Sequence, residues 1–362
     1  MQSFAIAGDW RRTSTLEQFA DGLKREMEAN HYQHVPSDDP FVQLVFNFVN
    51  PDEPQHFRRN GKGTFVVTIA ESDRPENNIL FAGYPVLVRS LGNLLIYLDR
   101  SGGSLKTYFV TLEQGCYKIK REEGEEGYFR EVFERLKPLA TSKLVIDNVF
   151  IPDLPEELWE GNQTTQSIYQ AGKKLDSLNL LPAPFPIDEL LSPKELRHIH
   201  RLYGIGGLSY GNLSARHEDN SFWMSASGVN KANLKEIGRD ILLVKRYNDQ
   251  NTAMEISVPP HVTPKRASVD AIEHWMIYSE HPEVGAIVHV HAWMEGVPST
   301  EINYPCGTVQ LAEAVAGLIR QAEDPSRAVV GLRNHGLTIT GRNLEDIFER
   351  IEGKIIPQVP MS

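Results

Sequence analysis

The sequence predicts an α/β protein of two domains, and three observations carry that prediction. The chain has 362 residues, which exceeds one ordinary single-core domain. Apolar patterns typical of strands and of helices alternate along both halves. A stretch rich in Pro, Glu, Asn and Gln separates the halves at about residues 151–191. We therefore expect an α+β domain over residues 1–150, a linker with one helix, and a second domain over residues 192–362.

The composition is that of a globular protein, and it limits the partners. Hydrophobic residues make up 41% of the chain and the formal net charge is -11. That sign disfavours general binding to nucleic acids or anionic membranes, so an anionic ligand needs local donors. The two cysteines, Cys116 and Cys306, lie far apart in unlike contexts, which is typical of a reducing compartment. No signal-peptide pattern opens the chain and no apolar run reaches membrane-spanning length, so we expect a cytoplasmic protein.

In the N-terminal half, apolar residues at helical spacing predict a helix at about residues 15–30. Turn residues then separate four strand-like runs, which predicts an antiparallel meander backed by helices. These runs cover residues 64–69, 84–88, 94–98 and 106–111. A later helix has one apolar face, formed by Phe129, Val132, Phe133 and Leu136. This half contains no catalytic constellation, so its role stays open between a scaffold, a partner-binding module and a substrate lid.

A helix and a glycine-rich loop open the C-terminal half. Ser192 can cap a helix that begins at Pro193 and runs to Gly204. In the following loop, residues 204–216, glycines allow close backbone approach, and Ser209 and Asn212 offer hydrogen bonds. The loop is suited to an oxyanion such as phosphate, although a simple turn at a helix end is the competing interpretation.

Further along, residues 222–228 predict a strand that ends in a turn containing Ser227 and Gly228, and residues 240–244 predict another strand. Ser268 and Asp270 precede a helix that carries an apolar face. On local sequence alone, a helix-capping role explains either of these two side chains as well as a functional role does.

Two histidines share one side of a predicted strand. In the run from Ile287 to Trp293 the side chains alternate, so His289 and His291 project the same way. A divalent cation is the simplest acceptor for two buried imidazoles, and a hydrogen-bonded structural pair is the alternative. His335, in a turn between two apolar runs, can supply a third imidazole. Three protein ligands leave one coordination position open, which is typical of catalytic zinc.

Together these elements resemble the class II aldolase/adducin family over about residues 190–355. In chain order they are Ser209-Tyr210-Gly211-Asn212, Ser225-Ala226-Ser227-Gly228, Ala267-Ser268-Val269-Asp270, the run from His281 to His291, and Asn334-His335-Gly336. The resemblance implies an α/β/α sandwich around a mostly antiparallel sheet, and commonly a tetramer with sites between subunits. It also implies a metal site of His289, His291 and His335, which would hold Zn²⁺ or another divalent cation such as Mn²⁺, Co²⁺ or Ni²⁺.

The resemblance assigns further roles residue by residue. Asp270 stands where the aldolases have a glutamate and the epimerase an aspartate, and it would transfer the proton. The positions that match the family's phosphate contacts are Ser209, Asn212, Ser227, Gly228 and Ser268. Val269 replaces a residue that is usually a second serine. The connection at residues 292–306 is shorter than in characterised relatives and lacks their second acid/base, for which Tyr304 or Glu301 are candidates.

The resemblance therefore predicts a metal-dependent lyase that cleaves a small, phosphorylated hydroxy-ketone or sugar by retro-aldol chemistry through a metal-stabilised enediolate. One alternative is an epimerase or dehydratase that uses the same chemistry. The other is a non-catalytic interaction module of the adducin kind. Burial of three histidines and Asp270 counts against that module, because a binding scaffold gains nothing from it.

Overall fold

The structure is a computed structural model that describes residues 2–59, 63–113, 115–119, 124–181, 187–197 and 210–362. The chain divides into two compact units, Met1–Thr141 with Met361–Ser362, and Ser142–Pro360. No helix in the described ranges is both long enough and apolar enough to cross a membrane.

The N-terminal unit is built on a seven-stranded mixed sheet. Its strands are β1 (Ser3–Gly8), β2 (Gln33–His34), β3 (Leu44–Val49), β4 (Phe65–Ser72), β5 (Leu94–Asp99), β6 (Lys106–Thr111) and β7 (Cys116–Lys118). Its helices are α1 (Ser14–Ala29), α2 (Ile79–Arg89) and α3 (Glu125–Thr141). The strand order is β2-β1-β3-β4-β5-β6-β7, with parallel pairing from β2 to β5 and antiparallel pairing at β6 and β7.

The predicted antiparallel meander is wrong for most of this sheet. Residues 84–88 lie inside α2, whose start is capped by the Asn78 side chain. A short apolar run cannot be assigned to strand or helix by periodicity alone. Because α2 connects β4 to β5 as a crossover, these two strands pair in parallel. The complete burial of β3 and β5 fits parallel strands that are covered on both faces.

The C-terminal unit is built on an eight-stranded mixed sheet. Its strands are β8 (Asp147–Ile151), β9 (Asn212–Arg216), β10 (Phe222–Ser225), β11 (Ile241–Asn248), β12 (Ala253–Ser257), β13 (Ala286–Val290), β14 (Val329–Leu332) and β15 (Gly336–Gly341). Its helices are α4 (Gln163–Ser177), α5 (Ile187–Leu190), α6 (Ala271–Glu280), α7 (Val309–Arg320) and α8 (Leu344–Ile351). The strand order is β14-β15-β13-β9-β10-β11-β12-β8, and β8 joins β12 in parallel whereas the other neighbours are antiparallel.

The segment expected to link two domains is part of the C-terminal unit instead. The division falls at Thr141, because β8 pairs with β12, and α4 packs against β9 and β10. Ile168 and Leu175 of α4 are fully buried in the core of this unit. The composition was misleading because β8 is a short edge strand and α4 turns a polar face outward, so neither element produces a long apolar run.

The proposed helix start at Ser192 has the expected hydrogen bonds. The Ser192 amide donates to Glu195 Oε2 at 2.7 Å, and the Glu195 amide donates to Ser192 Oγ at 3.3 Å. Residues 193–197 are helical, while the predicted continuation to Gly204 and the residues up to 209 lie outside the described ranges.

Replacing Ile168 by alanine is expected to lower the free energy of unfolding of the protein by roughly 2–5 kcal/mol, the cost typical of an aliphatic truncation in a packed core. Denaturant unfolding followed by tryptophan fluorescence measures the change. The matched control is Gln170→Ala on the exposed face of α4, which should change stability by less than about 0.5 kcal/mol. An Ile168→Ala protein as stable as the wild type would mean that α4 is a linker helix after all.

Candidate metal centre

Three histidines come together because of the pairing around β13. His289 lies on β13, His291 follows its last residue, and His335 lies in the turn between β14 and β15. β13 and β15 pair antiparallel, which brings that turn beside the end of β13. Gly336 permits the close approach, since a Cβ there would lie 2.2 Å from the Val290 carbonyl oxygen. We call His289, His291 and His335 the imidazole triad.

The spacing of the imidazole triad matches a metal coordination sphere. One ring nitrogen from each histidine lies within 4.8 Å of the others. Nε2 of His291 and Nε2 of His335 are 3.2 Å apart. Two nitrogens bound to one tetrahedral zinc at ~2.0–2.1 Å lie roughly 3.3 Å apart, so His291 and His335 need little movement to share a cation.

Burial keeps these rings neutral, which is the form that binds metals. His289 and His335 are buried and His291 is partly exposed. Burial lowers the pKa of all three histidines, and neighbouring rings of the triad lower it further for His291 and His335. The charge of Asp270 opposes the effect of burial on the pKa of His289. Neutral imidazole offers a lone pair to a cation.

Unused ring nitrogens also favour a cation. Among the described residues, no group meets hydrogen-bond geometry at Nδ1 of His291 or at either ring nitrogen of His289, although the Leu337 main chain is near enough to raise the pKa of His289. Buried polar atoms in native proteins nearly always have partners. The donor set therefore fits a divalent cation.

A buried carboxylate lies at the start of α6. Asp270 is 6% exposed and occupies the cap position, but its side chain makes no capping hydrogen bond. Instead, the Asn212 amide donates to Asp270 Oδ2 at 2.7 Å and the Ser268 hydroxyl donates to the same oxygen at 3.3 Å. Asp270 Oδ1 has no hydrogen-bond partner in the described ranges. The arrangement fixes one oxygen and leaves the other available.

The residues expected to hold phosphate fall into three groups. Ser227 and Gly228 form the turn after β10, where Gly228 has a φ of +65° and the Ser227 amide donates to the Arg266 carbonyl at 2.8 Å. A bridge between Ala226 and Ala267 places this turn beside Ser268. The Asn212 amide nitrogen is already engaged by Asp270 and Ser268. Ser209 lies outside the described residues.

Residues 195–297 match the family described as Class II Aldolase and Adducin N-terminal domain. This part of the chain is therefore similar to the class II aldolase and adducin family. The match includes Asn212, Asp270, His289 and His291, whereas His335 lies beyond it. A methylthioribulose-1-phosphate dehydratase of Citrobacter koseri is 26% identical over 172 residues, which cover 40% of this chain and 78% of the dehydratase.

Several solved structures are also similar to part of the chain. YgbL of Klebsiella pneumoniae has 20% identity and a TM-score of 0.35, over 52% of this chain and 84% of its own. An L-fuculose 1-phosphate aldolase has 20% identity and a TM-score of 0.35, over 54% of this chain and 82% of its own. An aldolase II superfamily protein from Pseudomonas syringae has 17% identity and a TM-score of 0.35, over 55% of this chain and 73% of its own.

Near the imidazole triad and Asp270, the structure places three residues that the sequence did not indicate. Lys231 is 2% exposed, and burial lowers its pKa to about 7, against the charge of Asp270, which raises it. Glu273 is 1% exposed, and burial followed by the charge of Asp270 raises its pKa to about 8. Cys306 Sγ lies 3.6 Å from Nε2 of His335. The sequence held a signal for Glu273 only: its carboxyl group lies one helical turn after Asp270 in a mostly apolar helix.

The two residues considered as a second acid/base have ordinary surroundings. Glu301 is exposed, and Tyr304 is partly buried against the core of the C-terminal unit. Neither joins the group of metal-ligating side chains found in the described ranges. Their assignment stays a prediction.

Proposed function

We propose that the C-terminal unit is a metal-dependent lyase that cleaves a small, phosphorylated hydroxy-ketone by a retro-aldol reaction. One observation supports the proposal. Three buried or partly buried imidazoles come together, and the charge of the buried Asp270, whose Oδ1 has no hydrogen-bond partner among the described residues, acts on one of them, His289. Such a donor set leaves room for a substrate oxygen at the cation.

His289, His291 and His335 would hold the cation, Zn²⁺ or another divalent metal. A divalent cation bound there supplies Lewis acidity that stabilises the negative charge developing on substrate oxygens. The strand β13 and the β14–β15 turn keep the three rings in place, so little reorganisation accompanies binding.

Asp270 would move the proton. In the cleavage direction its carboxylate accepts the proton of the substrate hydroxyl, the adjacent carbon–carbon bond breaks to leave an aldehyde, and the electron pair stays with the ketone fragment. Asp270 then returns the proton to that carbon. Asn212 and Ser268 hold Oδ2, so Oδ1 is the oxygen suited to the transfer.

The phosphate would lie at the turn formed by Ser227 and Gly228, next to Ser268. A left-handed glycine and two hydroxyls provide close backbone approach and hydrogen-bond donors. Ser209 and Asn212 belong to the same proposed set, with Asn212 also orienting Asp270. Anchoring the far end of the substrate would present its reactive carbons to the metal in one orientation.

Dehydration is the second candidate, and the curated relative favours it. That relative is a methylthioribulose-1-phosphate dehydratase, and the chain covers 78% of it at 26% identity. In this reaction Asp270 removes a proton from the carbon next to the carbonyl, and the hydroxyl on the following carbon leaves as water after protonation. Both candidates need the same cation and the same base.

The test begins with metal analysis of protein purified without an affinity tag, where about one divalent cation per chain is expected. The metal-loaded protein is then incubated with ketose 1-phosphates and followed by ³¹P NMR. Retro-aldol cleavage yields a triose phosphate and an aldehyde, whereas dehydration yields a single phosphorylated dicarbonyl. Chelated protein is the control, and activity should return with the cation. A protein with neither metal nor turnover would instead be an adducin-like interaction module.

A further inference from the structure

His289 lies at the centre of a row of polar side chains that crosses three strands. In the sheet register His289 is paired with Asn212 of β9 on one side and with Thr338 of β15 on the other. Directly paired residues project from the same face of a sheet. The three side chains therefore form a row on the face that carries the metal site.

Both ends of this row are tied to the first turn of α6. Asn212 donates to Asp270 at 2.7 Å, and the Thr338 hydroxyl donates to Glu273 Oε1 at 2.5 Å. Asp270 and Glu273 are three residues apart, so they lie on neighbouring positions of one helix face. The two carboxyl groups are thus anchored on opposite sides of His289.

Glu273 is buried, and one of its carboxyl oxygens has no hydrogen-bond partner among the described residues. The residue is 1% exposed, and that oxygen is its Oε2. Burying a carboxyl group with half of its capacity unsatisfied costs free energy that a nonpolar residue would avoid. The charge of Asp270 on the same helix acts on Glu273, and Asp270 in turn interacts with Lys231 and His289.

We propose that Glu273 is a positioning residue of the metal centre, which holds the row around His289 through Thr338 and, in its ionised form, adds negative charge that stabilises the bound cation. The proposal rests on the proposed function, since it needs the imidazole triad to bind a cation. Groups just outside the ligands orient them and add charge, and their loss typically weakens metal binding by about 10–100-fold.

The test compares zinc dissociation constants, measured by competition with a chromophoric chelator on metal-free protein. Glu273→Gln keeps an oxygen that accepts from Thr338 but removes the carboxylate, and it is expected to weaken zinc binding by about 10–100-fold. Thr338→Val keeps the carboxylate but removes its donor, and it is expected to weaken zinc binding measurably, though by less than Glu273→Gln does. Glu313→Gln, at an exposed position on α7, is the matched control and should bind zinc like the wild type.

Thermal unfolding of each metal-free variant separates this role from a structural one. A wild-type dissociation constant in Glu273→Gln or in Thr338→Val, whatever its unfolding temperature, would overturn the proposal. Weaker zinc binding by both variants, at an unfolding temperature close to that of the wild type, supports it. If the wild type itself binds no zinc, the proposed function fails first. If the wild type and Glu273→Gln bind zinc equally well, this inference alone fails.

Discussion

Replacing His291 by alanine is expected to abolish zinc binding and to lower turnover by about a thousandfold or more, because the Lewis acidity of a bound cation contributes several kcal/mol to the reaction. His291 Nε2 lies 3.2 Å from His335 Nε2, so its loss removes one of the ligands that converge on the site. The partly exposed ring follows the last residue of β13, and its Nδ1 has no described partner, so the fold should be little affected.

The measurements for His291→Ala are metal content by mass spectrometry, zinc affinity, and turnover with the substrate found above. His261→Ala, an exposed histidine of the same unit, is the matched control and should keep metal and turnover. Circular dichroism checks that both variants fold. A His291→Ala protein with full metal content and full activity would show that the imidazole triad is not the metal site.

Replacing Asp270 by asparagine is expected to leave metal content unchanged and to lower kcat/KM by roughly 10²–10⁴-fold, the range for loss of a general acid/base. The amide oxygen of asparagine can still accept the hydrogen bond from Asn212, so the local geometry is retained. An amide cannot take up a proton at neutral pH. The change therefore separates proton transfer from metal binding.

Exchange of the substrate's carbon-bound proton with deuterated water follows the transfer directly, and Asp270→Asn should slow it as much as it slows turnover. Asp219→Asn is the matched control, since this exposed residue has a φ of +49° that asparagine also tolerates. If Asp270→Asn lost the metal instead, the carboxylate would be part of the cation site and not the base.

The imidazole triad could be predicted from the sequence because the patterns that indicate it lie within short stretches of the chain. Alternation along β13 places His289 and His291 on one side, and the apolar runs around His335 mark a turn. The pairing that brings His335 to the end of β13 is a tertiary property, yet a short hairpin made it a reasonable expectation.

Glu273 and Lys231 were missed because nothing near them in the chain indicates their environment. Glu273 meets Thr338 only when α6 packs on a strand 65 positions away, and a glutamate on a helix is ordinarily a surface residue. In the N-terminal unit, residues 84–88 were placed in a strand because a short apolar run fits either element. Because this helix was predicted as a strand, the neighbouring strands β4 and β5 were expected to be antiparallel, whereas they are parallel.

The family match begins at residue 195, but the sheet of the C-terminal unit does not. Its edge strand β8 is supplied by Asp147–Ile151, and α4 covers one face of β9 and β10. A fragment cut at the start of the match would lose the buried Ile168 and Leu175 of α4 and leave β12 with an open edge. A fragment expected to fold alone therefore has to begin at about Ser142. The folding unit is longer than the segment that matches the family.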